Sequence, residues 1–184
     1  MAIRNNSQRI LVIGSCGAGK STLSKKLQQT LDLPLIHLDQ HYHKPNWEEP
    51  KKEEWNKIVA ELAEQPSWIM DGNYASSFDI RFPFADTIIY LDYSTFSCLW
   101  RVIKRTFKYY GRARPDMAKG CKERFDLEFL NYVLTFNAKN RVNVYAKLEQ
   151  VKNSKNVIVL KNDKEVDLFF LFINRNSRTS FPKH

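Results

Sequence analysis

No stretch of this sequence stays apolar long enough to cross a bilayer: residues 167–173, among its longest apolar runs, fall far short of the roughly 20 that a spanning helix needs. An apolar signal segment is missing as well, because Arg4, Asn5, Asn6, Ser7, Gln8 and Arg9 precede the first strand-like run; this predicts a cytoplasmic protein with no membrane partner. Only three cysteines occur, Cys16, Cys98 and Cys121, and their odd number and spacing speak against a disulfide framework or a metal cluster. Internal repeats and low-complexity linkers are absent, so the 184 residues are read as one domain with room for a full core. A last absence is local: residues 93–115 contain no Asp or Glu.

What is present is a globular composition, 43% hydrophobic, with a formal net charge of +9. That charge favours an anionic partner, whether a nucleotide, a nucleic acid or an acidic surface. Five short apolar runs, 9–14, 34–39, 67–72, 87–92 and 156–161, read as strands. Their continuous rather than alternating apolar character suits a parallel sheet covered on both faces. Helical patterns fall between them at 20–31, 51–64 and across 96–151, predicting a doubly wound α/β fold around a five-stranded parallel sheet. The polar, basic stretch 174–184 is read as a flexible tail.

The first strand runs into Gly14-Ser15-Cys16-Gly17-Ala18-Gly19-Lys20-Ser21, which has P-loop spacing with a strand before it and a helix after. Glycines let the backbone turn tightly and aim N–H groups at phosphate oxygens, and the helix N-terminus adds its positive dipole end. Gly14, Ser15, Gly17, Ala18, Gly19, Lys20, Ser21 and Thr22 are therefore the predicted cradle for ATP. Lys20 is assigned to the β- and γ-phosphates and the Ser21 hydroxyl to Mg²⁺.

Three strand runs end in aspartate, at Asp39, Asp71 and Asp92. Ligands of an open parallel sheet bind outside the carboxyl ends of its strands, the edge on which the P-loop also opens. Asp71 fits a carboxylate standing behind Mg²⁺, and Asp39 fits one that orients or deprotonates an acceptor hydroxyl. Asp92 reads equally as a cap for the next helix. Tyr42, Trp47 and Trp55, near Asp39, read as core or as walls of an acceptor pocket, and His37, His41 and His43 lack the further ligands of a zinc site.

Within the acid-free stretch, Arg101, Arg105, Lys108 and Arg112 share one helical stripe. Like charges so spaced repel by about 0.2–0.5 kcal/mol per pair. With no acid in reach along the stripe, they call for an external anion, as the spreading charge of phosphoryl transfer supplies. Gly111, Pro115 and Gly120 bracket a hinge, and Lys119, Lys122 and Arg124 extend the charge, so 93–125 is predicted to be a lid.

These motifs, with Leu38-Asp39-Gln40-His41-Tyr42, Trp68-Ile69-Met70-Asp71-Gly72-Asn73-Tyr74, Arg112-x-Arg114-Pro115-Asp116 and Glu123-Arg124-Phe125, give the chain a family likeness. It resembles the adenylate-kinase-like (nucleoside-monophosphate-kinase-like) branch of P-loop proteins, and within it the DNA topology modulation proteins. The resemblance implies a parallel core with a lid, Arg101 near the nucleotide base, and Arg105, Arg112, Arg114 and Arg124 as phosphate or lid arginines. It also implies that Arg81 meets an acceptor phosphate and that the 159–162 turn borders adenine. Where such kinases carry a proline-arginine pair after Asp-Gly, this chain has Asn73-Tyr74; its Asp39-x-x-Tyr42 looks more like kinases acting on a hydroxyl group. Two readings follow. One is a phosphotransferase with Lys20, Asp39, Arg105 and Arg114 as catalytic residues and Asp39, Tyr42, Asp71, Arg81 and Arg124 around a small acceptor. The other is a nucleotide-gated DNA-binding ATPase.

Overall fold

The computed structural model describes residues 3, 7–118 and 120–179; Lys119 and 180–184 lie outside the described residues. Five strands, β1 (Arg9–Gly14), β2 (Leu35–His37), β3 (Trp68–Asp71), β4 (Thr87–Leu91) and β5 (Asn156–Leu160), form one sheet in the order β2-β3-β1-β4-β5. Every pairing is parallel. Seven helices accompany them: α1 (Lys20–Leu31), α2 (Leu38–Tyr42), α3 (Lys52–Glu64), α4 (Phe78–Arg81), α5 (Thr95–Tyr109), α6 (Leu127–Val151) and α7 (Asp163–Thr179).

Successive side chains of a strand point to opposite faces, and β1 divides its apolar residues accordingly. Ile10 and Val12 join a core with Leu23 and Leu27 of α1, Cys98 and Val102 of α5, and Phe169 and Ile173 of α7. Leu11 and Ile13 join a second core with Trp55 and Val59 of α3, Phe78 of α4, and Val144 and Leu148 of α6. Both faces are covered, as continuous apolar strands require.

Three expectations are modified. The edge strand β2 stops at His37, and Leu38 begins a helix whose first turn carries Asp39; Leu38 is fully buried, with its side chain against Gly72. The helical stretch 96–151 is two helices, capped at their starts by Ser94 and by Asp126, which accepts from the Phe129 amide. The segment between them, 110–126, crosses the site as a strap. Residues 174–179, expected to be without structure, continue α7.

Candidate functional site

The backbone of the P-loop is held in a shape that only glycine tolerates. Gly14 has φ 143°, and a Cβ there would stand 2.6 Å from the Leu91 carbonyl oxygen of β4. Gly17 has φ 81°, with a Cβ 2.3 Å from the Cys98 carbonyl oxygen of α5. These contacts press the loop against its neighbours and leave its concave side to a ligand. Gly19, in the left-handed region, caps α1 without a side-chain acceptor, and the first turn of α1 carries no acid of its own, which leaves its amides to an anion. Ser15 and Ala18 are buried in the loop and Thr22 is exposed in the first helical turn. The Lys20 ammonium donates to the Gly14 and Ser15 carbonyls, 3.0 Å each.

Asp71 ends β3, the neighbour of the P-loop strand, and His37 ends β2 beside it. The two side chains meet at 2.8 Å, Nδ1 to Oδ1, while the buried Oδ2 of Asp71 meets no hydrogen-bond partner among the described residues. Burial alone would lower the His37 pKa, but the hydrogen bond and charge of Asp71, with Asp116 behind it, carry it above its ordinary value. The metal pair drawn from the sequence, Ser21 with Asp71, takes a different form here. Ser21 Oγ donates instead to Asp116 Oδ2, 2.8 Å away, from the strap. The Asp116 carboxyl is held below its usual pKa: burial opposes this, and the Arg114 charge and the Ser21 hydroxyl outweigh it.

Around Asp39 the structure builds an aromatic wall that the sequence only outlined. Tyr74, with φ 30° just past the Asp71-Gly72 turn, donates its hydroxyl to Asp39 Oδ1 at 2.7 Å. Burial and the neighbouring Asp39 push the Tyr74 hydroxyl far above its ordinary pKa, so it serves as a donor and not as a base. The Tyr42 ring packs on Tyr74, Trp55 and His43, and His43 on Trp47. The Tyr42 hydroxyl itself turns to Glu49. Tyr74 was missed as a site residue; its only signal in the sequence is its place two residues past the Asp-Gly turn.

The arginines separate into three groups. Arg101 grips both oxygens of Asp163 at 2.9 and 2.7 Å, lies 4.6 Å over the Tyr93 ring, and reaches the edge of Gly19. That is the flank where the base was expected. Arg105 and Arg114 converge on one buried carboxylate, Glu123, and Arg114 also reaches Asp116 at 3.1 Å. The expectation of an unpaired stripe is corrected for two of its members: acids outside the stretch, Asp163 and Glu123, pair with Arg101 and Arg105, while Lys108 and Arg112 are exposed. Desolvation, then the like charge of Arg114, holds Arg105 below its ordinary pKa. Arg112 and Arg124 are exposed, and Arg124 stands 3.7 Å from Asp126.

Arg81 is the clearest correction. It is fully buried, and its guanidinium donates to the carbonyls of Gly72, Asn73 and Tyr74 and to the Ser77 hydroxyl. Four of its five donors are thus consumed in holding the turn after β3, with the Phe78 ring 5.3 Å from its central carbon. The structure thus places the Arg81 guanidinium on its own backbone turn, with one donor left for any other partner. Asp92 gives its Oδ2 to Arg141 and Tyr145 of α6, and its buried Oδ1 has no hydrogen-bond partner among the described residues.

A strap now lies across the P-loop. It is pinned by Asp116 to Ser21, by the Pro115 carbonyl to Gln40 and by the Lys122 carbonyl to the Trp47 indole. The residues present fit a nucleotide with Mg²⁺: a glycine cradle, a helix whose own first turn carries no acid, the Ser21 hydroxyl and a buried Asp71 oxygen without a partner among the described residues.

No family model matches the chain, and no curated protein matches it. Solved structures do. A shikimate kinase from Bacteroides thetaiotaomicron superposes with a TM-score of 0.57 at 17% identity, covering 94% of this chain and 97% of that one. A shikimate kinase from Acinetobacter baumannii in complex with shikimate gives 0.57 at 15% identity, over 96% and 97%. A deoxyadenosine kinase from M. mycoides with bound dCTP gives 0.47 at 17%, over 92% and 99%. With the strand order and the P-loop geometry, the likeness to the shikimate kinases establishes that this chain has the P-loop kinase-like fold.

Proposed function

We propose that the chain is a phosphotransferase that moves the γ-phosphoryl group of ATP to a hydroxyl on a small acceptor. The observation that carries this reading is the placement of Asp39. Its carboxylate is fixed by Tyr74 beside an aromatic wall, on the same sheet edge as the P-loop. A carboxylate so placed accepts the acceptor's hydroxyl proton as the new O–P bond forms. Lys20 leaves the Gly14 and Ser15 carbonyls to meet phosphate oxygens, and Arg105 of α5 and Arg114 of the strap offset charge on the migrating group. Ser21, with Asp71 behind it, would hold Mg²⁺, which would supply the charge neutralisation that such transfers use. The shared fold supports the class of reaction without choosing the acceptor. Withdrawal of Arg81 into the core removes the cation assigned to an acceptor phosphate, which favours an uncharged hydroxyl compound over a nucleoside monophosphate.

ATP turnover against a panel of nucleosides, nucleotides and small hydroxy compounds tests this, with Lys20→Ala as the control. An acceptor that raises turnover in the wild type and not in Lys20→Ala supports it. If no compound raises turnover above water, and the water rate is itself negligible, the reading fails.

A second reading, nucleic-acid binding of the kind named for the topology modulation proteins, is favoured by one surface. Phe96, Trp100 and Phe107 of α5 are 79%, 60% and 68% exposed, with exposed Lys104 and Lys108 alongside. Aromatic faces among cations suit stacked bases and phosphates. Affinity for a single-stranded oligonucleotide should then fall steeply with salt, and the absence of binding at low salt ends this reading.

A further inference from the structure

The Ser21 hydroxyl has one proton to donate and two lone pairs to offer. To bind a cation it must direct the lone pairs at the metal and the proton elsewhere, so some acceptor has to fix its rotation. In this chain the carboxylate behind the P-loop strand is engaged otherwise: Asp71 Oδ1 is taken by His37. The Ser21 proton goes to Asp116 Oδ2 at 2.8 Å, across 95 residues of sequence. Asp116 is itself fixed, since Arg114 Nη1 holds the same oxygen at 3.1 Å and the side chain is 13% exposed.

We propose that Asp116 is a positioning residue for the metal: by accepting the Ser21 proton it turns the serine oxygen toward a divalent cation bridging the nucleotide phosphates. The anion also makes that oxygen more electron-rich, as hydrogen-bonded carboxylates do for metal ligands generally. Because Asp116 belongs to the strap, the metal site is complete only with the strap down. Metal retention and strap closure become one event, and a nucleotide without its metal closes the strap less firmly. Asp71, whose second oxygen has no hydrogen-bond partner among the described residues, would remain available to a water of that cation.

This inference rests on the P-loop binding a metal–nucleotide complex, and its test separates the two. Binding of Mn²⁺ to the full chain saturated with ATP is measured by electron paramagnetic resonance, and binding of ATP in excess chelator by calorimetry. The proteins are the wild type, Asp116→Ala, Asp116→Asn, Ser21→Ala and Ser21→Ala with Asp116→Ala. Asp116→Ala should weaken Mn²⁺ by about 10- to 100-fold, the usual loss for a partner of a metal ligand, with Asp116→Asn intermediate and ATP affinity in chelator nearly unchanged. In the Ser21→Ala background the Asp116→Ala effect should vanish, which a merely structural role would not produce. The inference is overturned if Asp116→Ala leaves Mn²⁺ affinity intact. It is also overturned if the loss persists without the serine hydroxyl, or if metal-free ATP binding falls by the same factor. Failure of the wild type to bind ATP at all removes the nucleotide reading itself, and this inference with it.

Discussion

Replacing Arg81 by Met separates a structural arginine from a substrate arginine. The side chain is fully buried and spans three carbonyls, of Gly72, Asn73 and Tyr74, and the Ser77 hydroxyl. Methionine fills most of the volume and donates nothing. Three carbonyls stripped of their donor cost about 1–3 kcal/mol each, or about 3–9 kcal/mol together. Against that, the desolvation cost of a buried cation, several kcal/mol, is recovered. The net expectation is a loss of about 2–4 kcal/mol. At about 2–4 °C per kcal/mol for a chain of this size, the melting midpoint should fall by roughly 4–16 °C. Arg81→Lys should lose part of this, because one ammonium cannot reach four acceptors in a plane. Differential scanning calorimetry gives the midpoint, and steady-state kinetics at a temperature where the variant is folded gives the acceptor KM. A midpoint within 2 °C of wild type together with a large rise in that KM would refute the reasoning and return Arg81 to the acceptor site.

Gly17→Ala should lose ATP binding and about 1–3 kcal/mol of stability, because a Cβ at φ 81° collides with the Cys98 carbonyl; retained ATP affinity by calorimetry would contradict this. Tyr74→Phe removes the donor to Asp39 and should lower kcat/KM for the acceptor about fivefold with little change in melting, and an unchanged kcat/KM would count against Asp39 as base. His37 has its pKa raised in the folded chain, so its contribution is fully present below the unfolded value near 6.5 and is lost as pH rises through the folded value. In urea melts, the stability advantage of wild type over His37→Gln should therefore shrink between pH 6 and 8, and a difference that grows with pH would invert the assignment.

The P-loop was legible because its physics is local: an apolar strand, glycines at fixed offsets and a helix start all lie within about a dozen residues. Strand–helix alternation likewise exposed the parallel sheet. The partners of the basic stripe were not legible, since Asp163 lies 62 residues from Arg101 and only the fold brings them together. Asp116 could be read as part of a motif but not as the acceptor for a serine 95 residues away. Arg81 misled for a different reason. Its spacing from Asp71-Gly72 suits an acceptor-phosphate arginine, and nothing in one sequence tells whether a guanidinium faces a substrate or its own backbone. Asp39 was placed at a strand end because Leu35, Ile36 and Leu38 are all apolar. The edge position of β2, which pairs with β3 on one side, lets the chain turn helical at Leu38, where the apolar pattern would extend the strand.

The strand order also has a consequence during synthesis. β1 is made early, yet both its neighbours come much later; the Arg9 amide waits for Asp86, 77 residues downstream. At about 5–20 residues per second, Trp68 of β3, the partner of Arg9 in the first neighbouring strand, follows after about 3–12 s, an interval in which Ile10, Leu11, Val12 and Ile13 are outside any sheet. Such a run is a template for pairing with another nascent chain. Arg9 in front of it and the glycine-rich turn behind it are the only brakes beside it in the sequence. Yield from the ribosome should therefore depend on how fast residues 68–91 follow, and slowing translation between β1 and β4 should cost this protein more soluble product than slowing it after β5.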